Sequence, residues 1–143
     1  MTDRKDAPSP LDAAPARSPI MTRALWVVQV LLAALFFLAG GMKLVLPLDA
    51  MKGGPVELPG LFLRFIGVAE VLGALGLMLP GLFRIQPGLT PLAAAGLVII
   101  MIGAVVISAA TGPIATALAP LVSAVLLVFV AYGRWRLAPH PAR

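Results

Sequence analysis

The sequence predicts an all-α fold: an antiparallel bundle of four transmembrane helices preceded by a disordered N-terminal tail. Three observations lead there. The chain is 60% hydrophobic and 12% charged, against about 45–50% apolar and about 25% charged for soluble domains. Four apolar stretches, at 24–46, 61–80, 90–110 and 114–133, are separated by turns rich in Pro and Gly. Each is close to the roughly 20 residues needed to cross a hydrocarbon core of about 30 Å.

These stretches use most of the chain and leave no room for a soluble domain. The absence of cysteine excludes disulfide and dithiol chemistry, thiolate metal sites, palmitoylation and a lipoprotein anchor. A net charge of +5 does not imply nucleic acid, because the basic residues flank apolar segments, where they set topology. No nucleophile–base pair, phosphate loop or nicotinamide fingerprint occurs, so the sequence leans away from an enzyme. His140 stands alone in the C-terminal tail, which argues against a metal or haem site.

Residues 1–20, rich in Pro, Ala, Asp and Arg, read as a disordered cytoplasmic tail. Met21, just before the first apolar run, is an alternative start. A cleaved signal peptide fits poorly, because the run is too long and ends in FFLAGGMK without a small-residue cleavage site. The membrane domain then covers 21–137, and 138–143 form a short tail.

In the first span, Gln29, Ala33, Phe36, Gly40 and Lys43 recur at helical spacing and place the polar and small residues on one face. Pro47 closes it, and 47–60 form a loop. The second span carries Glu70 near its middle, on a face shared with Gly67, Ala74 and Leu77, and is expected to end at Pro80-Gly81. Thr90-Pro91 reads as an N-cap followed by proline at the first helical position of the third span. Its packing face is the stripe Thr90, Ala94, Leu97, Met101, Ala104 and Ser108. Pro120 lies inside the fourth span and predicts a kink there.

Four spans put both termini on one side. That side collects Arg4, Lys5, Arg17, Arg23, Arg84, Arg134, Arg136 and Arg143, against Lys52 in the other loop with Lys43 and Arg64 near that edge. The imbalance predicts cytoplasmic termini in a plasma-membrane protein. Trp26, Tyr132 and Trp135 fall at the same interface, as an aromatic belt would.

Four polar residues form the candidate site: Glu70, Lys43, Gln29 and Arg64. A carboxylate at mid-membrane costs about 2.5–3.5 kcal/mol on insertion scales, so Glu70 faces protein, either as a protonatable functional group or as a structural partner of a cation. Lys43 is its nearest candidate cation. An antiparallel register puts Lys43 level with Arg64, about 9 Å along the axis from Glu70, so contact competes with snorkelling outward. Arg64 reads first as a snorkelling anchor, and Gln29 as an interhelical hydrogen-bonder or packing glue. Gly40/Gly41 and Gly73/Gly76 read as close helix packing.

Gln29 with LLAALFFLAGGMKL (31–44), PGLFLRFIGVAEVLGALGLMLP (59–80), LTPLAAAGLVIIMIGAVV (89–106) and AYGRWR (131–136) together resemble the DoxX-like family. The resemblance implies a small four-helix membrane protein linked to redox chemistry. Its relatives associate with sulfur or thiol oxidoreductases, and one is a subunit of a thiosulfate:quinone oxidoreductase. It also matches Gln29, Lys43, Arg64 and Glu70 to the family's recurring polar positions. One departure stands out. Relatives often carry a histidine and a charged run after the AVV of the third span, where this chain has Ser108 and AATGP.

The function expected from all this is a non-catalytic or quinone-adjacent membrane subunit supporting a redox partner. The alternatives are a small proton-coupled carrier using Glu70, or a purely structural scaffold. The implied partners are the lipid bilayer and a membrane-associated oxidoreductase, with quinone as the one candidate cofactor. The sequence leaves the oligomeric state open.

Overall fold

The computed structural model describes residues 18–51 and 57–138. Expectations for residues 1–17, Lys52, His140 and Arg143 fall outside them. Four helices make up the fold: α1 (Pro19–Val45), α2 (Gly60–Phe83), α3 (Leu89–Thr111) and α4 (Leu118–Tyr132). A 3-10 turn at Ile114–Ala117 leads into α4, and a π-helical turn at Gly133–Leu137 ends it, giving a continuous apolar span from Ile114 to Leu137. The helices form a ring in which α1 packs on α2 and α4, and α3 packs on α2 and α4.

The faces predicted from helical spacing are the buried ones. Gln29, Ala33, Phe36 and Gly40 are buried on α1; Gly67, Glu70, Ala74 and Leu77 on α2; Thr90, Ala94, Leu97 and Met101 on α3. Leu127 and Val130 of α4 complete the apolar centre. The large side chains on the outside are apolar, with Leu61 at 85% and Ile99 at 73% exposure. Such a surface is stable against lipid and not against water, so the chain is an integral, multi-pass membrane protein whose outer face contacts lipid.

Several helix ends differ from the sequence expectation. α1 begins at Pro19 because Ser18 caps it, its hydroxyl accepting from the Met21 N–H at 3.5 Å with proline at the first helical position. Composition alone places this pair in the tail. α2 runs through Pro80 to Phe83, since a proline near the end of a helix removes one hydrogen bond and need not break the last turn. The turn then closes through Arg84 in the left-handed region (φ 55°, ψ 36°), with the Ile85 N–H donating to the Pro80 carbonyl at 3.1 Å. Thr90 is not the cap of α3. Gly88 holds that position, and Thr90 lies inside the helix, fully buried. Pro120 falls in the first turn of α4, where its missing N–H has no acceptor to serve, and the irregularity is taken up by the preceding 3-10 turn.

Backbone comes against backbone between α1 and α2. A Cβ at Gly40 would lie 2.7 Å from the Gly67 carbonyl oxygen and 2.9 Å from the Glu70 Cβ, and one at Gly67 would lie 3.0 Å from the Gly40 oxygen. Backbone meets backbone here, so a side chain has nowhere to go. Gly73 and Gly76 instead make room on α2 for the Leu97 and Ala93 side chains of α3. Gly41, by contrast, faces open space. Gly40→Ala is therefore expected to lower stability by about 1–3 kcal/mol through overpacking, and Gly41→Ala to stay within about 0.5 kcal/mol. Melting of both variants in one detergent checks the pair, and equal effects would contradict the packing.

Candidate functional site

The close approach of α1 and α2 sets the geometry of the first polar cluster. The Lys43 ammonium donates to Glu70 Oε2 at 2.7 Å, and its side chain is 29% exposed while that of Glu70 is 4% exposed. Lys43 thus turns inward over the Gly40–Gly67 contact and reaches the carboxylate that the register placed about two turns away. Its stem stays partly open at the bundle's flank.

Arg64 does something the sequence reading did not favour. Its guanidinium is not a snorkelling anchor. It donates to the carbonyl oxygens of Lys43 (2.7 Å), Leu44 and Leu46 (2.9 Å). These belong to the C-terminal end of α1, where carbonyls lack intrahelical partners and the helix dipole is negative. A cation from α2 therefore caps α1, while a cation from α1 neutralises the carboxylate of α2. The two helices are tied reciprocally within about two turns.

Gln29 does not join them. It lies fourteen residues before Lys43 on α1, about 21 Å along the axis, and belongs to a second cluster at the end of the bundle that holds the termini. Its amide Nε2 donates to the Leu77 carbonyl of α2, and its Oε1 accepts from Arg134 Nε at 2.8 Å. Arg134 also donates through Nη1 to the Ala138 carbonyl at 3.3 Å and stacks over the Trp26 ring, 5.1 Å from its centroid. One amide and one guanidinium thus join α1, α2 and the end of the fourth span. Between the clusters lies an apolar layer of Leu32, Phe36, Ala74, Leu97 and Leu127.

Arg134 is the site residue that sequence reasoning missed. In GRWR it reads as one more basic residue flanking a span. Yet it is 2% exposed, while its neighbour Trp135 is 72% exposed. The π-turn, closed by the Ala138 N–H donating to the Gly133 carbonyl at 2.7 Å, and the tight seating of Gly133 on Leu25 draw Arg134 inward. Only a glycine before the arginine hinted at this. Among the described residues no group of three or more His, Cys, Asp or Glu is placed to hold a metal.

Four apolar helices tied by intramembrane ion-pair and arginine contacts define a small polytopic membrane bundle. The model of the DoxX-like family matches residues 27–130, and the chain belongs to that family. The match spans Gln29, Lys43, Arg64 and Glu70 but stops short of Arg134. No curated protein and no solved structure matches the chain significantly.

Lys43→Met leaves the Glu70 carboxylate enclosed without its cation and is expected to cost about 3–5 kcal/mol. Glu70→Gln frees a lysine that can turn outward and is expected to cost less. The double variant should then lie above Lys43→Met in stability, a non-additivity that a double-mutant cycle in detergent measures. Additive losses would contradict direct pairing.

Proposed function

We propose that this protein is a non-catalytic membrane subunit supporting a redox partner, seated in the plasma membrane with both termini in the cytoplasm. The observation that carries the reading is the engagement of Glu70. Its carboxylate is enclosed and held by Lys43 at 2.7 Å, which suits a group that holds two helices together better than one that takes up and releases protons in transport. Arg64 and Gln29 are likewise spent on joining helices. What remains for a partner is the apolar outer face, where another membrane-embedded chain docks by packing and not by charge.

The redox assignment rests on the resemblance to DoxX-like relatives, and the orientation on the basic residues gathered at the end with the termini. Quinone is the cofactor that this assignment implies, and the residues allow it one contact. Glu70 and Gln29 are shut inside the bundle, whereas Lys43 is part exposed and its ammonium, bonded to Glu70 and the Ala39 carbonyl, has one donor left for a quinone carbonyl.

Two measurements test the reading. Cross-linking in native membranes followed by mass spectrometry is expected to recover an oxidoreductase joined to this chain, and recovery of this chain alone would count against it. In reconstituted vesicles, wild type and Glu70→Gln are expected to show the same proton permeability. A pH-driven flux abolished by Glu70→Gln would establish the carrier instead.

A further inference from the structure

At the end holding the termini, a groove of about 480 Å³ opens between the first turns of α3 and the π-turn of the fourth span. Pro87, Gly88, Pro91, Leu92 and Ala95 form one wall, and Arg134 and Trp135 the other. Its long wall is apolar and continuous with the lipid-facing surface, with Leu92 67% exposed.

Arg134 is what makes this groove more than a furrow. Its Nε and Nη1 are bonded, but Nη2 is buried and has no hydrogen-bond partner. Its bonded acceptors, Gln29 Oε1 and the Ala138 carbonyl, are both neutral. Among the described residues the carboxylates are Asp49, Glu57 and Glu70. The first two flank the loop at the opposite end, and Glu70 lies about 20 Å from the end of α2 that meets α3. Arg23, Arg84 and Arg136 add further positive charge at the same end. A buried guanidinium with no carboxylate near it among the described residues is costly.

We propose that this groove binds one anionic phospholipid, with a phosphate oxygen accepting from Arg134 Nη2 and an acyl chain lying along Leu92 and Ala95. A lipid supplies both things the groove asks for, an anion at the polar end and a hydrocarbon chain on the apolar wall. Trp135, exposed beside it, sits where an indole meets the headgroup layer. The proposal depends on the membrane fold and not on the redox reading, so either can fail alone.

Native mass spectrometry of the full chain, titrated with phosphatidylglycerol or with phosphatidylcholine of the same acyl chains, tests it. Wild type is expected to retain one phosphatidylglycerol with about a tenfold preference, the scale of one charge-assisted hydrogen bond. Arg134→Gln should abolish the preference. Because Arg134 also ties helices together, Ala95→Trp serves as the second variant. It fills the groove from its exposed wall, away from the Gln29–Arg134 bond, and should lose the preference while melting like wild type. Equal retention of the two lipids by wild type would overturn the proposal. So would a preference that survives both variants, or stronger retention of a neutral quinone than of phosphatidylglycerol.

Discussion

The contact between Gly40 and Gly67 is the constraint on which the rest of the bundle depends. Without a hydrophobic force to press helices together in lipid, association rests on packing and interhelical bonds. Where two backbones approach to within the reach of a missing Cβ, short-range dispersion is large and a flexible lysine can cross to a neighbouring helix. Lys43 reaches Glu70, and Arg64 reaches the carbonyl end of α1, because this approach brings them level. The charged groups follow from the glycines. A wider interface would leave Glu70 facing either lipid or water.

The bundle is thus held at its two ends by different chemistry. One end uses an ion pair and an arginine cap between α1 and α2. The other uses the Gln29 amide and the Arg134 guanidinium to join three helices. The middle is apolar and packed by side chains of modest size. This division bears on function. The end near Lys43 is satisfied within the protein, while the end near Arg134 keeps a buried donor and a fully buried Thr90 hydroxyl without partners. Unsatisfied polar groups in a low-dielectric interior are the places where a ligand gains most.

Much of the fold was legible in the sequence because membrane spans obey two simple rules, length and one-sided placement of polar residues. The stripes Gln29–Lys43 and Gly67–Leu77 were readable by spacing alone, and so was the pairing of Lys43 with Glu70 as a candidate contact. Other features turn on local geometry that spacing does not encode. Pro80 signals a helix end in water, yet here the last turn continues past it. Thr90 carries the signature of a cap but lies two residues past the cap position, inside the helix. Arg64 and Arg134 look like interfacial anchors because a lone arginine near a span end usually is one. Their inward roles arise from carbonyls at the end of α1 and from a π-turn after Tyr132, both consequences of tertiary packing. Gln29 and Lys43 share a stripe but serve separate clusters, since a shared face says nothing about distance along the axis.

The account stands on the α1–α2 lock. Its most direct test is a solid-state NMR distance between the Lys43 side-chain nitrogen and the Glu70 carboxyl carbon, measured with isotope-labelled protein in lipid vesicles. A direct contact, matching the 2.7 Å nitrogen–oxygen separation, is the predicted result. No measurable dipolar coupling between the two would contradict it, and with it the view that the intramembrane carboxylate holds the bundle together.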